Sequence, residues 1–256
     1  MHTTRRGFLK YAATGVAVGL AGTGRVALAG PSPTIKAVAF DGFPIIDPRP
    51  VQARAEELFP GRGTDLANAW RTRQFEYTWL RTLSNSYIDF WQVTEDALIF
   101  AAKSLKLELS AATRRKIMDT FLELKAWPDA PPALRSLKEA GVRVAFLSNF
   151  TERMLDAAVR NSGLNGTFEP HLSTDRVAAY KLDARAYRMA LDAFGLKQEQ
   201  IAFAASAGWD AAGARRFGYP TFWVNRMGLP AEELGVAADA SGTSMTDLLS
   251  FVRAST

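Results

Sequence analysis

The 256-residue chain has no cysteine, is 48% hydrophobic and 22% charged, and carries a formal charge of +5. It is long enough to bury a substantial core, in one large or two small domains. The missing cysteines exclude disulfides, a thiolate zinc site and a cysteine nucleophile, and the only two histidines, His2 and His171, exclude a multi-histidine metal site and leave any catalytic chemistry mostly to carboxylates, lysine and arginine.

The chain opens with Arg5-Arg6-Gly7-Phe8-Leu9-Lys10, then a weakly apolar stretch rich in Ala and Gly, then Ala27-Leu28-Ala29. A basic segment, a short apolar segment and small residues at cleavage positions make a signal peptide over 1–29. The paired arginines resemble the twin-arginine export signal of bacteria. The reading implies a periplasmic protein, with the twin-arginine translocase as a transient partner. The apolar stretch is shorter than the ~20 residues of a membrane span, so no stable membrane anchor is expected. Removal of 1–29 takes Arg5, Arg6, Lys10 and Arg25 and no acid, which lowers the charge from +5 to +1. The basic character that suggested a nucleic-acid partner goes with it.

Ile35–Phe40 is an apolar run that ends at Asp41 and reads as a buried strand. From Pro48 the pattern turns helical, with Leu66, Trp70, Tyr77 and Leu80 spaced along one helix face. Ser84–Phe90, Asp96–Leu105 and Ala111–Lys125 read as further helices, the last with Ser110 as N-cap. Beyond Pro128 helix and strand alternate. A helix over Pro132–Ala140 stops at Gly141, and the strand Val142–Leu147 leads to Ser148-Asn149 and a helix from Glu152 to Ser162. A weaker strand near His171, a helix over Asp183–Phe194, the strand Ile201–Ala204, a helix over Ala211–Phe217 and the strand Thr221–Val224 complete the series. Such alternation predicts an α/β fold, a Rossmann-like parallel sheet with helices on both faces and an inserted all-helical cap. The expected layout is a core formed by 30–47 and 128–256, with the cap at 48–127.

In parallel sheets ligands bind beyond the carboxyl ends of the strands, where Asp41, Ser148 and Asp210 fall. Singly, each has an ordinary reading as turn former or helix cap, and Lys181 with Asp210 as a solvated pair. Together they form an ordered set: Asp after the first strand, Ser-Asn after the next, Lys before a helix, Asp after a later strand. That order resembles the haloacid dehalogenase superfamily. Phe59-Pro-Gly-Arg-Gly63, Trp70-Arg-Thr-Arg-Gln-Phe-Glu-Tyr-Thr-Trp-Leu-Arg81, Thr94-Glu-Asp-Ala97, Leu147-Ser-Asn149 and Trp209-Asp210 with Gly213-Ala214-Arg215 narrow it to the type II (S)-2-haloacid dehalogenases, from about Ile35 to Trp223.

The resemblance implies hydrolytic displacement of halide from a short 2-haloalkanoic acid through an aspartyl ester, giving the 2-hydroxy acid. In it Asp41 is the nucleophile, and Lys181 keeps Asp41 and Asp210 ionised. Arg71 faces the leaving halide, Ser148 and Asn149 bind the substrate carboxylate, Trp209 walls the pocket, and Tyr187 is a supporting hydrogen-bond partner. The superfamily's phosphatases carry a second Asp two residues after the nucleophile, where this chain has Phe43, so neither a metal nor another cofactor is implied. Homodimers are common in the family. The partners expected are therefore a small halogenated carboxylic acid and, as in many relatives, a second copy of the chain.

The chain also departs from the family pattern. The first motif, Asp-x-Tyr-Gly-Thr-Leu-x-Asp, is here Asp41-Gly-Phe-Pro-Ile-Ile-Asp47, one residue shorter and without the Thr hydroxyl. Ala205 and Ala207 stand where the family has Ser and Asn, and Leu182 where it has Pro. Strand alternation would turn Ser206, a substitute hydroxyl, away from the site. Two readings follow: a dehalogenase with a remodelled nucleophile turn, or a diverged paralogue that binds a small carboxylic acid with weak or no turnover.

Overall fold

The structure, a computed structural model, describes residues 34–255. The signal expected at 1–29 and residues 30–33 of the expected core lie outside the described residues.

The chain enters through β1 (Ala37–Phe40) and turns at once into the single-turn helix α1 (Gly42–Ile45). The helices α2 (Arg49–Leu58), α3 (Gly63–Leu83), α4 (Phe90–Ser104) and α5 (Ala111–Asp119) follow before the chain returns through α6 (Ala130–Glu139). The remainder alternates: β2 (Arg143–Ser148), α7 (Glu152–Asn161), β3 (Leu172–Ser173), α8 (Ala184–Phe194), β4 (Ile201–Ala205), α9 (Gly208–Phe217), β5 (Thr221–Val224), β6 (Ala240–Gly242) and α10 (Met245–Ala254). Among the described residues the strands form one parallel sheet in the order β3-β2-β1-β4-β5-β6. The α/β architecture predicted from the alternation is the one observed.

A parallel sheet covered on both faces needs strands apolar on both sides, and β1 is buried along its whole length. Val38 and Phe40 point to a core that also holds Leu134, Leu155 and Leu248 from the covering helices. Ala37 and Ala39 point to the opposite face, where Tyr187, Ala190 and Ala214 pack. Because β1 is hydrogen-bonded between β2 and β4, with Phe40 opposite Phe146 and Ala204, the ends of these three strands lie side by side. Asp41, Ser148 and Ser206 therefore leave the sheet at one edge.

Several helix boundaries differ from the sequence expectation. The buried face of α3 runs through Leu66, Trp70, Gln74 and Thr78, and Leu80 is 55% exposed. Gln74 is tolerated there because its side-chain amide donates to Thr94 Oγ1 (2.6 Å), while Trp70 Nε1 donates to Thr94 O (2.7 Å). Ser84–Phe90 is not a helix. Asn85 adopts φ 53°, and Asp89 caps α4 by accepting from Gln92 N–H (2.9 Å), so α4 starts six residues before the expected Asp96. Tyr87 of this connection instead donates to Asp175 (2.5 Å). Ser110 caps α5 as expected, accepting from Thr113 N–H, but α5 ends at Asp119 in a single 3-10 turn rather than at Lys125. Thr221–Val224 is not the last strand, since β6 and α10 follow it.

Candidate active site

Asp41 ends β1, and its own N–H is tied to Ala204 O (2.9 Å), which fixes the side chain over the sheet edge. Lys181 Nζ donates to Asp41 Oδ1 (2.9 Å) and Ser206 Oγ donates to Oδ2 (2.7 Å). Oδ2 also accepts a longer bond from Phe43 N–H (3.4 Å). The Asp41 side chain keeps 15% of its surface exposed, against 1% for Lys181 and 2% for Asp210. Of the two carboxylates, Asp41 is thus the one with an open side.

The second contact of Lys181 Nζ is Asp210 Oδ2 (2.8 Å), in the first turn of α9. Asp210 Oδ1 accepts from Tyr187 Oη (2.7 Å), and Tyr187 O accepts from Tyr219 Oη (2.6 Å). Gly213 makes this approach feasible, because a Cβ there would lie 2.6 Å from Tyr187 Oη. The backbone N–H of Lys181 donates to Asn149 Oδ1 (3.2 Å), which anchors the Lys181 loop to the end of β2. Ser148 Oγ accepts from Phe150 N–H (3.2 Å) and lies so close to α1 that a Cβ on Gly42 would be 3.2 Å away.

One ammonium between two carboxylates sets the charge states. Burial alone would raise the Asp41 pKa, but the Lys181 charge and the bonds from Lys181 and Ser206 hold it below the ordinary value. Burial likewise opposes charge on Lys181, and Asp210 and Asp41 together outweigh it and raise its pKa. Asp210 bears the cost: burial, with the nearby Asp41 charge, pushes it up to about 6 against the pull of Lys181. At neutral pH this leaves an ionised Asp41 beside a charged lysine.

A cavity of about 160 Å³ reaches Ser206 and Phe43, the two residues that donate to Asp41 Oδ2. Trp70, Arg71, Phe75 and Phe121 line it with them. The Arg71 side chain makes no hydrogen bond or ion pair with another described residue; burial lowers its pKa and the Asp41 charge raises it. Its guanidinium is free to meet an anion. Trp209 packs against Phe75 (5.1 Å between ring centroids) and Trp79 (5.5 Å), so it backs the cavity wall through Phe75 rather than lining it.

The structure therefore brings Asp41, Lys181, Asp210 and Tyr187 into one bonded chain. Asn149 and Ser148 sit at its side, and Arg71 lines the cavity within reach of the Asp41 charge. Ser206 does not point away from the site as strand alternation predicts: β4 ends at Ala205, and beyond it the side chain turns onto Asp41. Ala205 is buried in the strand and Ala207 caps α9, so neither offers a polar group. Gln74 and Phe75, which lie in the Trp70–Arg81 stretch without a role assigned from sequence, and Trp127 and Arg226, which carry no local signal, also line the cavity.

The haloacid dehalogenase-like hydrolase family pattern matches residues 33–218. The (S)-2-haloacid dehalogenase of Pseudomonas sp. (strain YL) is 45% identical over 212 residues, 82% of this chain and 91% of that protein. Haloacetate dehalogenase H-2 of Moraxella sp. (strain B) is 38% identical over 80% of this chain and 92% of its own. Among solved structures, the L-2-haloacid dehalogenase RSc1362 superposes with a TM-score of 0.84 at 44% identity, covering 86% of this chain and 99% of that one. The L-2-haloacid dehalogenase of Xanthobacter autotrophicus with chloropropionic acid covalently bound superposes with a TM-score of 0.77 at 31% identity over 86% and 99% of the two chains. With a lysine-bridged pair of aspartates at the edge of a parallel sheet and relatives of this closeness, the chain belongs to the haloacid dehalogenase-like hydrolase family.

Proposed function

We propose that the protein is an (S)-2-haloacid dehalogenase that converts a short 2-haloalkanoic acid to the 2-hydroxy acid and halide. The observation that carries this reading is Asp41, an ionised, partly exposed carboxylate with Oδ1 on Lys181 and Oδ2 on Ser206, which itself lines a cavity shared with Arg71. Its carboxylate attacks C2 of the substrate, the C–O bond forms as the carbon–halogen bond breaks, and the halide leaves with the electron pair toward Arg71. Water then adds to the ester carbonyl of Asp41, with Asp210 as the proposed acceptor of its proton, and the 2-hydroxy acid departs. Ser148 and Asn149, with the backbone at the start of α7, are the proposed carboxylate site. The helices between 48 and 127 act as the cap in this reading.

The covalent chloropropionic acid named for the Xanthobacter autotrophicus enzyme supports an ester route. The alternative, a diverged binder with weak or no turnover, rests on the shortened turn and the missing Thr, Ser and Asn side chains, and the Ser206–Asp41 bond returns one hydroxyl to the nucleophile. Incubation with (S)-2-chloropropionate should release halide, and Asp41→Asn should abolish release. Release no greater than that variant's would overturn the dehalogenase reading. The proposal extends to export: Arg5-Arg6 and Ala27-Leu28-Ala29 support passage through the twin-arginine route to the periplasm.

A further inference from the structure

We propose that Arg226 is a positioning residue that clamps the turn following the nucleophile. The proposal rests on Asp41 being that nucleophile. α1 has only four residues, so its carbonyls need partners from elsewhere. Gly42 O accepts from Ile46 N–H (2.9 Å) and Ile45 O from Trp127 N–H (2.8 Å). The two between them rely on distant side chains: Phe43 O accepts from Trp127 Nε1 (3.0 Å) and Pro44 O from Arg226 Nη2 (3.0 Å). This is the turn that is one residue shorter than the family motif and carries Pro44, which has no N–H to contribute.

The donor is itself held firmly. Arg226 Nη1 and Nη2 donate to the two oxygens of Asp129 (3.1 and 2.8 Å), and its guanidinium lies 4.6 Å from the centre of the Trp127 ring. Asp129 also accepts from Met245 N–H (2.9 Å), which links the assembly to α10. The Arg226 side chain is 14% exposed. A charged donor fixed by a bidentate carboxylate is the stronger kind of hydrogen bond, and two donors aim it at two targets at once. Phe43 N–H, within the clamped turn, reaches Asp41 Oδ2. A shift of the turn therefore moves the group against the attacking carboxylate, although Arg226 does not touch it.

Arg226 also lines the cavity, so a direct role on the substrate is the competing explanation, and kinetics separate the two. In the full chain, Arg226→Met should lower kcat for (S)-2-chloropropionate by about 10- to 100-fold, the scale set by misplacing a reacting group, with KM little changed. Arg226→Lys should recover part of kcat. Asp129→Asn, which keeps the arginine, should give a smaller change of the same kind. Amide hydrogen exchange across residues 41–47 without substrate should speed up in Arg226→Met, but not in Arg143→Gln, which breaks the surface pair with Glu169. A rise in KM at unchanged kcat would make Arg226 a substrate contact and overturn the proposal, as would unchanged exchange in the turn. If the unmodified protein releases no halide, the dehalogenase reading falls and the exchange measurement alone decides the clamp.

Discussion

At the scale of single residues, chemistry concentrates where opposing charges are buried together. Lys181 serves two carboxylates but cannot satisfy both equally, and Asp210 takes the elevated pKa. If ionised Asp210 is needed to draw a proton from water, activity should fall as pH drops through about 6, the value to which Asp210 is raised. A pH–kcat profile checks this, and Tyr187→Phe sharpens it. The Tyr187 bond lowers the Asp210 pKa, so its removal should move the acid limb to higher pH. Ser206→Ala removes the shorter of the two bonds to Asp41 Oδ2 and should reduce kcat by about 10²- to 10³-fold, the usual cost of a lost positioned donor, with little change in melting temperature. Asp41, Lys181 and Asp210 were legible in the sequence because each sits beside a strand end or helix start. Ser206 was not, because side-chain alternation does not carry past Ala205, the last residue of β4, into the bend before α9.

At the scale of elements, short boundaries decide the site. β4 stops at Ala205 and α9 starts at Gly208, and the bend between them presents Ser206 to Asp41 and Asp210 to Lys181. Gly213 lets α9 approach Tyr187, since a Cβ would meet Tyr187 Oη at 2.6 Å and Leu182 Cδ2 at 2.2 Å. Gly213→Ala should therefore cost about 1–3 kcal/mol in stability by overpacking, read as a lower denaturant midpoint. It should also shift the acid limb upward by disturbing the Tyr187–Asp210 bond. The helical register of α3 was only half legible, because Gln74 and Thr78 on its buried face look like surface residues until Thr94 supplies a partner. The missed α10 did carry a start signal, Ser244 with Asp247 three residues on, which form a reciprocal cap.

At the scale of the whole molecule, the sheet was readable because apolar runs and turn residues recur locally, whereas the site's connections span the chain. Asp41 meets Lys181 across 140 residues and Ser206 across 165, and such pairs leave no local periodicity. The order of motifs along the sequence stood in for that missing geometry. The same holds for the turn after Asp41, whose departure from the family motif was visible while its partners Trp127 and Arg226 were not. The central claim is that Asp41 forms the ester and that water attacks the ester rather than the substrate. A single turnover in H₂¹⁸O, with protein in excess over (S)-2-chloropropionate, tests it by mass spectrometry of both the product and the peptide that contains Asp41. The account predicts ¹⁸O in the Asp41 carboxylate and none in the 2-hydroxy acid; label in the product with an unlabelled Asp41 would contradict it.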